Sequence, residues 1–306
     1  MLQSLVLLAF AGTSLASYGA NLNYRSPSNH HPGLGISIPK VVRRNNPRAT
    51  YDPSALNFTH SVASGDPYAS SVILWTRCAP MVDDVDDNST VSGIVPLYNP
   101  VPIYNDTDEG KPPSKSPVCL NFVVGTDKAL KDVVDHGTVY TSSDIDYTVK
   151  VEALGLDPFT YYYYQFNVCN SKTSSPVGRT KTTPTAKDDV SSVALAIYSC
   201  SNFPFGYFNA YGNPVRKDSV DYVIHLGDYI YEYKSGDTGY GFAYGWGYSI
   251  DRVPLPDRNI FTLYDYRKRY ASYRTDADLQ LSHQMFPWIP VWDDHGRLLP
   301  ERFFVS

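Results

Sequence analysis

The stretch VDYVIHLGDYIYEY, Val220 to Tyr233, decides how the second half of the chain is read. Its apolar run stops abruptly at Gly227 and Asp228. A short, near-continuous apolar run of this kind fits a strand covered on both faces, as in α/β sheets. A second such run, VALAIYSC, ends at Cys200, and a third, FPWIPVW, leads into Asp293, Asp294 and His295. Between the first two runs lies FNAYGNPVRKDS, long enough for a crossover helix. A further helical stretch is expected through DYRKRYASYRTDADLQLSHQM, where Tyr266, Tyr270 and Tyr273 recur at i, i+4 and i+7. In open α/β sheets ligands bind beyond the carboxyl ends of the strands. Three strand ends here deliver a thiol, carboxylates and an imidazole to one rim, a donor set suited to transition metals. Taken singly, Cys200 fits a buried thiol, Asp228 a turn residue, and Tyr266 core packing. Their joint occurrence carries the reading.

Upstream the texture differs. From about residue 51 to 186 the runs are SVILWTR, LNFVVGTD, DYTVKVEAL and YYYYQFNV, separated by Pro, Asp and Gly turn signals. Short strands at this spacing indicate an antiparallel β-sandwich. Leu156, Pro158, Thr160 and Tyr162 form the L-x-P-x-T-x-Y pattern of fibronectin type III domains, in which the tyrosine hydroxyl bonds back to the backbone and closes a corner.

Composition narrows the function classes. The chain has 306 residues, enough for two domains, and 26 of them are Tyr, which favours strands and half-buried surfaces. A net charge of −5 argues against a nucleic-acid or anionic-membrane partner, both of which require a positive field. An anionic substrate would then be held by something other than Lys and Arg. Residues 1–17 read as a secretory signal and 18–50 as an extended leader that packs little. Later apolar runs are too short to span a membrane. Sequons at Asn57, Asn88 and Asn105 suit a secreted glycoprotein. Four cysteines in that compartment suggest disulfides. Cys78 and Cys119 lie in runs that could be neighbouring strands, which makes a disulfide there plausible with the connectivity open, and Cys200 is kept apart as a ligand.

The strings HSVASGDPYASSVILWTR, SPVGRTKT, SCSNFPFGYFNAY, DYVIHLGDYIYEY, DYRKRYASYRTDADLQ and FPWIPVWDDH follow one another over residues 58–295. Together they resemble the PhoD-like alkaline phosphatases. That resemblance implies a secreted hydrolase of phosphomonoesters or phosphodiesters using Fe3+ and Ca2+. It implies a fibronectin type III-like β-sandwich over 51–186, then an incomplete α/β metallophosphoesterase domain over 190–306. Carried over by position, Cys200 is the iron thiolate, Asp228 the bridging carboxylate and Tyr266 the phenolate, with Tyr229, Tyr231 and Tyr264 as alternatives. Asp294 would hold the second metal, and His295 would steady the phosphoryl group or leaving oxygen. The family continues W-D-D-H-E, whereas this chain reads Gly296 after His295, so a truncated and impaired phosphatase domain is expected. A binding module without turnover is the alternative. A purple acid phosphatase is disfavoured by the absent G-N-H-E motif and by the cysteine.

Overall fold

The computed structural model of the chain describes residues 22–23, 53–80, 90–91, 95–96, 118–141, 146–235 and 246–296. The expected signal, nearly all of the leader, Asn88, Asn105 and the tail after Gly296 lie outside the described residues.

Alternation builds the first half. The longer strands, in chain order, are β1 (Val62–Gly65), β2 (Ser71–Arg77), β3 (Val118–Gly125), β4 (Val133–Thr141), β5 (Thr148–Leu154), β6 (Tyr161–Val168) and β7 (Gly178–Lys181). In β3, Val118, Leu120, Phe122 and Val124 are buried, and in β6, Tyr162, Tyr164, Phe166 and Val168. Both follow the period of two that puts one face of a strand inward. The inner faces of β7-β6-β3-β4 and of β5-β2-β1 meet in one apolar core that includes Val72, Leu74, Val149 and Val151. Each such side chain contributes about 1.5–3 kcal/mol when withdrawn from water. The Tyr162 hydroxyl accepts a hydrogen bond from the Asp157 backbone N–H at 2.8 Å, the corner expected from the motif. Asn57, in the first sequon, is exposed.

The structure settles the connectivity that the sequence left open, and Cys78 takes no part in it. Cys119 bonds Cys169, with a Cα–Cα distance of 5.4 Å. Register is the reason. Leu120 lies opposite Val168, so the two cysteines stand side by side at the ends of β3 and β6. Cys78 follows β2 in the facing sheet, where it is buried, and that burial pushes its thiol up to about 12.

The second half adds β8 (Leu195–Tyr198), α1 (Asn209–Lys217), β9 (Tyr222–His225), α2 (Leu263–Tyr273), α3 (Ala277–Met285) and β10 (Pro287–Pro290). The expected crossover helix is α1. The single helical stretch expected through 265–285 is instead two helices, because Asp276 accepts from the backbone N–H groups of Asp278 and Leu279 and starts a new helix. Strands β8, β9 and β10 are parallel, and β10 also pairs in parallel with β1 through Pro287 opposite Ser64 and Trp288 opposite Gly65. One mixed seven-stranded sheet therefore runs from the sandwich into the α/β part, with Leu22–Asn23 at one edge and β8 at the other.

Among the described residues, coverage of the parallel strands β8, β9 and β10 is one-sided towards their carboxyl ends. Ala196, Val223 and Trp288 occupy one register row and are buried with Phe203, Tyr211, Tyr273 and Leu279. The adjacent row, Ile197, Ile224 and Ile289, lies on the opposite face, where Ile197 is 59% exposed and Ile289 39%. The runs expected to be covered on both faces are covered on one. Among the described residues, no helix is long and apolar enough to cross a membrane.

Buried histidines couple this fold to pH. His225 is fully buried, with Nε2 2.8 Å from the Ser201 hydroxyl, and burial holds its ionisation down to about 4, against an ordinary 6.5. Burial also holds His60 and His283 well below that value. Between about pH 4 and 6.5 the unfolded chain binds more protons than the folded one, so stability rises with pH across this window. It is complete above about 6.5 and lost as pH falls towards 4, His225 alone accounting for about 3 kcal/mol. A falling Tm from pH 7 to pH 5 is expected, and a Tm flat over that range would show that these imidazoles protonate freely in the folded chain.

Candidate metal centre

The loops that follow β8 and β9 are tied to each other. Cys200 N–H donates to the Gly227 carbonyl at 3.1 Å, and Ser201 N–H to the Asp228 carbonyl at 2.9 Å. Cys200 and Asp228 both sit in the left-handed backbone region, at φ of 57° and 53°. Such a conformation costs about 1–3 kcal/mol per residue and persists where surrounding bonds impose it. Gly227 lies between them at φ 113°, and a Cβ there would stand 2.3 Å from Asp293 Cβ. Only glycine lets the third strand end close against the second.

These ends bring most of the expected residues together. Asp228 Oδ2 is 3.8 Å from Cys200 Sγ, and Oδ1 accepts the His295 backbone N–H at 3.1 Å. One ligand atom each from Asp228, Asp294 and His295 lies within 4.8 Å of the others. Asp228 is buried, His295 half-buried and Asp294 exposed. Cys200 is an exposed, unbridged thiol.

Among the tyrosines, Tyr231 reaches this cluster. Its hydroxyl donates to Asp228 Oδ2 at 3.3 Å. Burial, its hydrogen bond with Cys200 and the charge of Asp228 all push its phenol well above the ordinary range. Tyr266 instead donates to Glu232 Oε1 at 3.1 Å, and the Tyr229 hydroxyl lies 3.0 Å from His283 Nε2. Tyr264 is half-buried on α2, the helix that carries Tyr266.

Two supporting residues escaped the sequence reading. Glu232 is buried, and its Oε2 lies 2.9 Å from His295 Nδ1. Arg269 is fully buried and donates to the carbonyls of Tyr231, Tyr233, Leu255, Pro256 and Arg258, which fixes the course of the chain carrying Tyr231. A signal for Glu232 was present. In the run after Asp228 it shares its phase with Ile230, and an acid in phase with an inward apolar residue needs a buried partner.

Comparisons with known proteins agree with this layout. The model of the PhoD-like phosphatase N-terminal domain matches residues 44–184, and that of the PhoD-like phosphatase matches residues 195–296. Alkaline phosphatase D of Bacillus subtilis is 36% identical over 262 residues, covering 86% of this chain and 39% of the relative. A solved structure of PhoD superposes with a TM-score of 0.62 at 36% identity, over 80% of this chain and 40% of that one. The chain thus spans about two fifths of the length of these relatives. With both family models matched in order over most of its residues, the chain belongs to the PhoD-like phosphatase family.

Proposed function

We propose that this chain carries the opening half of a metal-dependent phosphate-ester hydrolase, with the site built around Asp228. The observation that carries the reading is the convergence of Cys200, Asp228, Tyr231, Asp294 and His295 on one rim. The donors fit the expected metals. Thiolate, phenolate and carboxylate suit iron, while exposed carboxylate oxygen suits calcium. Cys200 and Tyr231 both face Asp228 Oδ2, and the His295 side of the cluster faces Oδ1, so one carboxylate separates two donor groups. That arrangement suits a bridging role for Asp228, with Cys200 and Tyr231 on the iron side and Asp294 on the calcium side. The phenolate role expected of Tyr266 passes to Tyr231.

When bound, the metals would supply Lewis acidity and lower the pKa of a water molecule. The chain supplies the rest. Asp228 and Asp294 offset the positive charge, and His295, once its ring is also protonated at the nitrogen not held by Glu232, donates that proton to the leaving oxygen or uses it to steady a phosphoryl oxygen. The N-terminal sandwich is read as fibronectin type III-like from the Tyr162 corner, with the protein secreted and bearing glycans, Asn57 among the acceptors.

The test is iron content. Cys200→Ala is expected to abolish iron uptake while leaving the sandwich folded, because Cys200 lies outside the sandwich core and forms no disulfide. The assay is metal analysis after reconstitution, with circular dichroism as the folding control. Iron at the wild-type stoichiometry in C200A would sink the thiolate assignment.

A further inference from the structure

Glu232 makes three hydrogen-bond contacts with two separate parts of the chain, α2 and the segment at His295 and Gly296. The Tyr266 hydroxyl of α2 donates to Oε1 at 3.1 Å, and the Gly296 backbone N–H donates to the same oxygen. The other oxygen, Oε2, faces His295 Nδ1 at 2.9 Å. All of this happens in a buried carboxylate, where an unmade bond is costly. An ionised carboxylate is acceptor only, so its partner atom at Oε2 must be a donor, and in a neutral imidazole that assigns the proton to Nδ1. The Arg269 guanidinium is close enough to interact electrostatically with Glu232. The imidazole is further confined by Tyr231 and Tyr233, whose ring centroids lie 4.4 Å and 5.3 Å from its own. Its backbone N–H is held by Asp228 Oδ1.

We propose that Glu232 is the positioning residue of His295: it holds the proton on Nδ1, fixes the ring plane and leaves Nε2 as the nitrogen that faces the reaction, with Tyr266 anchoring Glu232 from behind. The proposal deepens the phosphatase reading above and rests on it for the purpose of that nitrogen. Tyr266 thereby acquires a role that its place in the motif did not suggest. It acts through two residues rather than on a metal. Which imidazole nitrogen is protonated is set by the partner of the other, and a carboxylate in that position also raises the basicity of the free nitrogen. The selection is geometric, because Glu232 is four residues beyond Asp228 and His295 follows Asp294. The same two chain segments that bring the carboxylates together also set the imidazole.

The experiment reads the tautomer directly. The full 306-residue chain, labelled with 15N and freed of metal by chelation, is examined by long-range 1H–15N correlation of its histidine rings at about pH 8, where an ordinary imidazole is neutral. H295Q identifies the His295 signals. In the wild type His295 is expected in the Nδ1–H form. E232A is expected to lose that form in favour of Nε2–H. E232Q fits only with its oxygen at the Oε1 place, where the Tyr266 hydroxyl and the Gly296 N–H donate, so its NH2 faces Nδ1 and is expected to switch His295 fully to Nε2–H while the other histidine signals stay in place, a change that general loosening of the fold would not produce. Y266F removes one of the three bonds and is expected to leave the tautomer unchanged while broadening the His295 signals. Wild-type His295 in the Nε2–H form would overturn the proposal, as would an E232A spectrum identical to the wild type. Should E232A fail to fold, the wild-type spectrum and E232Q decide alone. Uptake of iron and calcium by the wild type is measured in parallel. Its absence, with the Glu232-dependent tautomer intact, would sink the metal reading and leave the positioning role standing.

Discussion

Asp228→Asn is expected to weaken metal uptake by more than 100-fold while the folded chain keeps its shape. Outer partners of metal ligands alone are worth about 10–100-fold in affinity, and a carboxylate set between two donor groups must count for more. Two features of the structure make Asn a poor substitute despite its size. It removes the negative charge that the cluster directs at a cation. It also replaces one acceptor oxygen with an NH2 donor, and the group at Oδ2 faces the Tyr231 hydroxyl at 3.3 Å and the Cys200 thiol at 3.8 Å, both donors. Flipping the amide moves the clash to the His295 N–H on Oδ1, 3.1 Å away. Either orientation leaves a donor facing a donor. The measurement is calorimetric titration of the metal-free protein with calcium and with iron, beside the wild type. Near-normal affinity in D228N would place the metals elsewhere, and the reading of this rim would fail with it.

The second large effect concerns the polypeptide as it stands, which is expected to show no measurable hydrolysis of a chromogenic phosphomonoester or phosphodiester with iron and calcium supplied. The structural motive is the uncovered sheet face. Ile197, Ile224 and Ile289 form a row across β8, β9 and β10, and Leu195 and Val291 beside it are exposed as well. Among the described residues, the side chains around the carboxyl ends of these strands are exposed, and an exposed site loses the water exclusion that strengthens its electrostatics. Asp294, the candidate second ligand, is itself exposed. The same face should bind an apolar dye such as ANS. Replacing Ile197 and Ile289 together by Lys should quench that dye signal with a change in stability of less than about 0.5 kcal/mol per site, whereas truncating a packed core isoleucine costs about 2–5 kcal/mol. Turnover matching that of a form extended after His295 would show that the site closes without further cover. A large loss of stability in the double variant would show that something packs on the face.

Much of this was legible in the residues alone. Strand identity in β3, β6, β8 and β9 follows from periodicity, which is a local property of the backbone and needs no partner. The Tyr162 corner was legible because donor and acceptor are five residues apart. Cys200, Asp228, Asp294 and His295 were legible as a group because each ends an apolar run, and parallel strands bring like ends together. The assignments that only the tertiary structure decided all depend on which distant segments come into register. Cys119 meets Cys169 through the pairing of β3 with β6, which no spacing rule contains. That Tyr231 reaches Asp228 while Tyr266 reaches Glu232 turns on the direction the chain takes after Asp228, and that course is fixed by Arg269 from a helix more than thirty residues away. The split between α2 and α3 depends on whether Asp276 serves as a cap or as a surface acid, and both fit the same letters. The burial of one register row and the exposure of the next, in strands whose sequence is apolar on both faces, is set by what packs above the sheet. Hydrophobicity is a property of each residue, but coverage is a property of its neighbours in space.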